Sequence, residues 1–514
     1  MSGKSKRVDN SGQLGFFGGE PEGKKKPKRR RAGLEFEDPQ PEGIVIGALS
    51  LREFLEKTEQ TEVLRMRVLL RELVGEGLRS GYRGGGRRPY HPASMLGLVL
   101  WGLMKGRTSL RQLEEVARSD VRCWWLTGGI FPDHSVIGRF VNQHGEELTE
   151  EFFEELTRRV LEQVGSPGRA VSVDGTLVAA AASRYRRVRK EAADQAAREA
   201  RARARQEPDD EELKQQAQEA RELARVVTER VKARQAQGKD ASKIAVSPSD
   251  PESVIQPQKD KTMSPSYLPS IVVNGLRVIV AQAVDPKSET AVFRSMLEQA
   301  GRLHGPVEQL LADPGYHSIG VIGECRRQGV SEVLCPESPQ GEKSTYQGKF
   351  AKNQFQYHRQ GDYYRCPAGE KLIPFGKGGH HGDLAYRSYG KAPCGPCVLR
   401  AQCTTALRGR TVKRFVGDEY KEEVRGVMKQ PWAQQQYRRR KGMVEPVFGE
   451  LKHRQGLQRF RRRGLQKVRL EFSLHAMTHN LKRWLILGPS LRPFFRLFCP
   501  WQDSIEPFGH RQTA

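Results

Sequence analysis

The spacing of apolar residues divides the chain into a helical part followed by strands. Residues 95–104, MLGLVLWGLM, are apolar nearly all round. Behind Pro92, which suits the first turn of a helix, they predict a buried helix. Gly106 ends it, and Thr108 or Ser109 caps a following helix with Leu110, Leu113 and Val116 on one face. In FPDHSVIGRF, residues 131–140, Asp133 or Ser135 caps a short helix that displays Arg139. Residues 44–165 therefore read as an all-helical domain. Short helices at angles suit a DNA-reading module, and a plain helical bundle fits the same pattern.

From residue 169 the pattern changes to strands. The apolar run AVSV leads into Asp174. Residues 186–236 are rich in Arg, Ala, Glu and Gln, which predicts a solvated helix or helical hairpin interrupted at Pro208. With the polar linker that follows, this forms an insertion over 185–262. Two β-branched runs in SIVVNGLRVIVAQAV flank Asn274-Gly275, the signature of a hairpin closed by a type I′ turn. A helix over 288–302 precedes VEQLLADPGYHS, where Asp313 ends another apolar strand. A helix near 318–328 and a strand at 331–336 follow. Residues 337–415 show little periodicity and read as a second insertion. Beyond residue 416 the chain turns helical and basic, and the helix over 469–487 aligns Leu470, Leu474, Met477 and Leu481.

Length and charge add the partner class. A chain of 514 residues suggests two to four domains. Its net charge of +26 and pI near 9.9 call for a polyanionic partner. No stretch of eighteen apolar residues appears, and MSGKSKRVDN lacks a signal core, so a cytoplasmic, nucleoid-associated protein is expected. Residues 1–43 are too poor in apolar groups to offset their ordering entropy and read as a disordered tail, with 488–514 as a C-terminal tail. The run KKKPKRRR at 24–31 fits a DNA-holding tail more simply than a nuclear signal.

Two acids, Asp174 and Asp313, each end a buried strand, and a third, Glu445, lies on a later basic helix. Their order suggests a mixed sheet, β-β-β-α-β-α-β-α, with acids gathered at adjacent strand ends. Three such acids repel one another unless a cation joins them, and Mg²⁺ or Mn²⁺ suits their hard oxygens. Taken singly, Asp174-Gly175 and Asp313-Pro314-Gly315 are ordinary turn pairs; their combination carries the reading. Glu445 is chosen over Glu450, which fits a surface pair with Arg454. Cys366, Cys394, Cys397 and Cys403 form a candidate zinc set, with His380 and His381 as substitute ligands, and unmetallated thiols are the alternative. HRQGLQRFRRRGLQKVR, including Arg461, Arg462 and Arg463, fits a phosphate-tracking surface.

VDGT at 173–176, LADPGYHS at 311–318 and VEPVFGELK at 444–452 resemble the three acidic motifs of bacterial insertion-sequence transposases of the DDE type. The helical stretch before them resembles that of the IS-five and IS-eleven-eighty-two branches. The resemblance implies an α/β ribonuclease H-like catalytic core over 166–487, holding the two insertions, behind the N-terminal helical domain. It also implies metal-dependent cleavage and joining of DNA ends by Asp174, Asp313 and Glu445, in a homodimer or larger assembly. Lys452 fits the family's spacing to the glutamate, while Tyr437 and Arg440 fit its tyrosine and basic residue with a one-residue shift. A nuclease of the same fold and an inactive DNA-binding repressor remain alternatives.

Overall fold

The computed structural model describes residues 35–80, 82, 87–165, 169–258, 260–338 and 349–488. The basic run at 24–31 and residues 489–514 lie outside them. The helical part contains α1 (Pro92–Met104), α2 (Leu110–Ser119), α3 (His134–Gln143) and α4 (Glu151–Val164). Residues 92–103 of α1 are all buried, as an all-round apolar helix requires. Ser109 caps α2 through a capping box with Gln112, and Asp133 caps α3 by accepting from the amides of Ser135 and Val136. Among the described residues no helix is long and apolar enough to cross a membrane.

Strand β1 (Ala170–Gly175) opens the central sheet. Helices α5 (Lys190–Gln206) and α6 (Glu211–Ala236) then pair around a small cluster of Ala193, Leu223, Val226, Val227 and Val246. The sheet continues with β2 (Met263–Asn274) and β3 (Ile279–Asp285), then α7 (Phe293–His304), β4 (Gln309–Leu311), α8 (Ile319–Arg327) and β5 (Glu332–Leu334). Its main strands lie in the order β3-β2-β1-β4-β5: β2 is antiparallel to β3 and β1, while β4 and β5 run parallel to β1. Short strands at Val178–Ala179 and Val254–Pro257 pair with the start of β2. Consecutive residues of β2, from Ser270 to Asn274, are buried, so both faces of the sheet are covered.

The hairpin between β2 and β3 closes differently from the expected type I′ turn. Its left-handed residue is Arg277, at φ 62°, rather than Gly275. Asn274 Oδ1 accepts from the amides of Leu276 and Val278, which holds a longer loop.

Residues 356–415 are not the aperiodic stretch that the sequence suggests. They form a second, antiparallel sheet of β6 (Gln356–His358), β7 (Tyr363–Arg365), β8 (Lys371–His381), β9 (Leu384–Gly390) and β10 (Val412–Phe415). Helices α9 (Asp418–Met428), α10 (Pro431–Gly449) and α11 (Leu465–Leu487) complete the chain. One hydrophobic cluster runs from Leu51 to Trp484 and joins the helical part to the central sheet. Helix α11 lies within it, packed against α1, α4 and β3.

Candidate active site at two strand ends

Register explains why two distant aspartates meet. Ser172 on β1 pairs with Leu311 on β4 in parallel, so Asp174 and Asp313 each lie two residues further toward the same edge. Side chains alternate along a strand, and neighbouring strands lie about 4.8 Å apart, which brings both carboxylates to one face of one edge. Strand β3 is antiparallel to β2, as β1 is, and therefore ends at that edge too.

The chain leaving β3 brings in Glu289. Asp285 accepts from the amides of Lys287 and Ser288, both at 2.7 Å, and turns the backbone there. Glu289 then packs against the glycines that follow both aspartates. A Cβ on Gly175 would collide with one Glu289 carboxylate oxygen, and a Cβ on Gly315 would stand 3.3 Å from the other. The Tyr316 hydroxyl donates to Glu289 at 3.5 Å. Burial, then the charges of Asp313 and Asp174, push the Glu289 carboxyl up to about 7. Burial raises Asp174 to about 6, against the nearby Arg440 and with the help of Asp313. Sequence reading missed Glu289 because it assigned residue 288 onward to a helix. The available signal was an acid just past the end of the third strand, behind an Asp-Pro turn.

Helix α10 supplies the cationic side. Arg440 reaches the Asp174 carboxylate at 2.8 Å, and Gly175 N–H donates to its other oxygen at 2.9 Å. Tyr437, half-buried one turn earlier, lies close enough to Asp313 and Asp174 that their charges add to the effect of burial in raising its phenol. Lys452 donates to Thr176 Oγ1 at 2.6 Å and to Leu177 O at 2.9 Å, just past β1. Glu445 is exposed on α10, and its carboxylate has no hydrogen bond or ion pair among the described residues. It lies five residues beyond Arg440, about 140° around a helix at 100° per residue, and so points away from Arg440's direction.

Glu450 corrects an expectation. It is not a surface partner of Arg454. It is largely buried and pairs with Lys482 at 2.9 Å and His479 at 3.5 Å, both on α11. Despite burial, these partners bring its carboxyl down to about 2. Pro446 sits inside α10 and cannot donate to Gly442 O; Arg277 Nε donates to that carbonyl at 3.0 Å.

The basic stretch after α10 is partly committed to the protein itself. Arg459 donates to Ala180 O at 2.9 Å and Arg463 to Ala181 O at 3.0 Å, which ties down the loop after β1. Arg462 bonds Asn142 on α3, and the amides of Arg461 and Arg462 both donate to Glu471. The side chains of Arg461 and Arg463 are exposed, as is Arg139 on α3.

The donor chemistry at the strand ends, oxygens of neighbouring carboxylates, fits a hard divalent cation. As they stand, no three or more His, Cys, Asp or Glu side chains among the described residues are gathered closely enough to enclose an ion. Of the cysteine set, Cys366, Cys394, Cys397 and Cys403 all line one cavity in the second sheet. His380 and His381 do not; they sit near the far end of β8, with His381 against Phe415.

Comparison with known protein families gives two matches. Residues 50–143 match the transposase domain family DUF772, and residues 365–485 match the transposase DDE domain family. The first covers α1 to α3. The second begins at β7, includes the four cysteines, and continues through α10 and most of α11. No curated protein matches the chain.

Proposed function

We propose that this chain, which carries two transposase matches and is on that footing an insertion-sequence transposase of the DDE type, binds the ends of its element, cuts them and joins the freed 3′-hydroxyl to target DNA. The observation that carries the proposal is the parallel register of β1 and β4, which sets Asp174 and Asp313 side by side at one sheet edge. The strand order β3-β2-β1-β4-β5 supports the ribonuclease H-like core of this reading. The motif resemblance supports a place in the IS-five or IS-eleven-eighty-two branches.

In this reading Asp174 and Asp313 would hold Mg²⁺ or Mn²⁺ with Glu289 as a further carboxylate beside the pair, and Glu445, which stands apart from them on α10, would join as the third acid when α10 is repositioned on DNA. When bound, the ions supply activation of the attacking oxygen and stabilisation of the leaving one. Arg440 orients Asp174, and Lys452 fixes the backbone at Thr176 and Leu177. Glu445 is exposed on α10. Exposed cations, among them Arg139, Arg461 and Arg463, supply sequence-independent affinity for phosphates. Joining requires two ends together, so the working form is at least a dimer on DNA.

The test is a strand-transfer assay with labelled end DNA and a target plasmid in Mg²⁺ or Mn²⁺. Joined product supports the proposal. Cleavage without joining leaves a nuclease of the same fold, and end binding with neither reaction leaves a DNA-binding repressor.

A further inference from the structure

The second sheet has few means of holding itself together. Its core is five buried residues, Phe355, Tyr364, Leu372, Tyr389 and Val412. Much of the longest strand, β8, is exposed. A cluster this small rarely stabilises a unit by itself, and small folds commonly add disulfides or a metal.

Two loops at the same end of this sheet, the turn between β7 and β8 and the loop after β9, meet over that core, and each brings cysteines. Cys366 follows β7 in a tight turn closed by its own amide to Glu370 O at 2.9 Å and by Gly369 N–H to Cys366 O at 2.8 Å. Gly369 is left-handed, at φ 89°. Cys394-Gly-Pro-Cys397 follows β9, and the helical turn Arg400–Cys403 delivers the fourth thiol. Gly409, at φ 85°, leaves room for Cys394: a Cβ there would stand 2.9 Å from its sulfur. The next amide, that of Arg410, donates to Cys394 Sγ at 3.5 Å.

All four cysteines line one cavity of about 20 Å³. That is room for roughly one water-sized occupant. Each thiol is partly buried, and none is in a disulfide. Arg400 Nη1 donates to Cys394 O at 3.3 Å and Arg410 Nη1 to Cys403 O at 3.5 Å, so two guanidinium groups stand beside the sulfurs. An ion with four thiolates carries a net negative charge, which these guanidinium groups offset.

We propose that Cys366, Cys394, Cys397 and Cys403 bind one structural zinc ion that joins the β7–β8 turn to the loops after β9. The softness of four sulfurs selects zinc over the hard cation proposed for the strand ends. Because the thiols line the cavity without yet enclosing an ion, binding draws them inward. Each coordinating thiol gives its proton to solvent, so up to four protons leave per ion, and no oxidation occurs. Nearby backbone amides, that of Arg410 first, stabilise the thiolates as outer partners do in closed metal sites.

The experiment uses the full chain, purified under reducing conditions without chelator. Elemental analysis is expected to give one zinc per chain. Replacement by Co²⁺ is expected to give the thiolate charge-transfer band and the red d–d bands of a tetrahedral sulfur site. Cys394→Ser with Cys397→Ser should abolish both signals, whereas Cys123→Ser, in the main core, should leave them unchanged. Cys403→His should retain the zinc, since imidazole can replace one thiolate. Absence of zinc together with absence of the cobalt spectrum overturns the proposal. So does zinc retained in the double variant, or a mass showing two disulfides among these cysteines in metal-free protein. If the double variant fails to fold, the wild-type cobalt spectrum decides alone.

Discussion

The sheet that carries the aspartates and the sheet that carries the cysteines use similar strands but are held in different ways. In the first, side chains on both faces of β2 are buried, and the strands belong to a core running from Leu51 to Trp484. In the second, five residues form the core, and ion pairs such as Arg414–Glu422 and Lys352–Asp418 tie the sheet to α9. A sheet with a deep core can leave charged groups unsatisfied at its edge, because packing elsewhere holds the backbone in place. Asp174, Asp313 and Glu289 crowd together there at a cost that a small core does not cover. The peripheral sheet has no such reserve, and the cavity lined by its thiols is where the proposed zinc would supply the missing cohesion.

The largest expected effect tests the site in the first sheet. Asp174→Ala or Asp313→Ala should lower metal-dependent cleavage by on the order of 10³-fold. Gel-shift affinity for end DNA should stay near wild type, since cations rather than these acids supply it. Unchanged cleavage would remove that residue from the chemistry. Next comes the choice of acids beside the pair. Glu445→Gln should abolish cleavage with little change in thermal stability, because the side chain is exposed. Glu289→Gln should reduce cleavage and raise the melting temperature of metal-free protein by removing a repelling charge. Equal stability effects at the two positions would erase the contrast between an edge under repulsion and a free helix surface.

A smaller effect is expected away from the edge. Glu450→Gln should destabilise the chain by about 2 kcal/mol in urea titrations, since it leaves Lys482 and His479 without their carboxylate. The Glu450 carboxyl is depressed in the folded chain, so its contribution is present above the ordinary glutamate range and is lost as pH falls toward about 2. The smallest effect concerns pH. Asp174 and Glu289 are raised to about 6 and about 7, so the folded chain holds their protons more tightly than the unfolded chain does. That stabilisation is complete below the ordinary carboxylate range and disappears as pH rises through 6 and 7. Metal-free protein should therefore lose melting temperature across that window, and added Mg²⁺ should restore it. A profile flat in both conditions would show that the edge carries no strain.

Local signals reported local structure well. Ser109 and Asp133 cap the helices that their spacing indicates, and AVSV and LLA are strands ending near their aspartates. The adjacency of Asp174 and Asp313 was legible because strands that feed a mixed sheet have few ways to lie. Glu289 was not, since its place depends on Asp285 turning the backbone and on two glycines 140 residues apart leaving room. Glu450 was misread for a related reason: its partners on α11 are chosen by tertiary packing, while Arg454 was merely near in sequence. The second sheet escaped periodicity because a strand with a few buried residues, such as β8, has almost no alternation to display.

Helix α11 has a consequence for how the protein is made. Ser473 bonds the carbonyl of Leu148, 325 residues earlier, and Asn480 bonds both Thr157 on α4 and Ile279 on β3. A ribosome adding about 10 residues per second needs roughly half a minute to span that interval. Throughout that time the helices of the first match wait with their apolar surface uncovered. A message truncated before codon 465 would yield a chain that chaperones and proteases meet in this unfinished state.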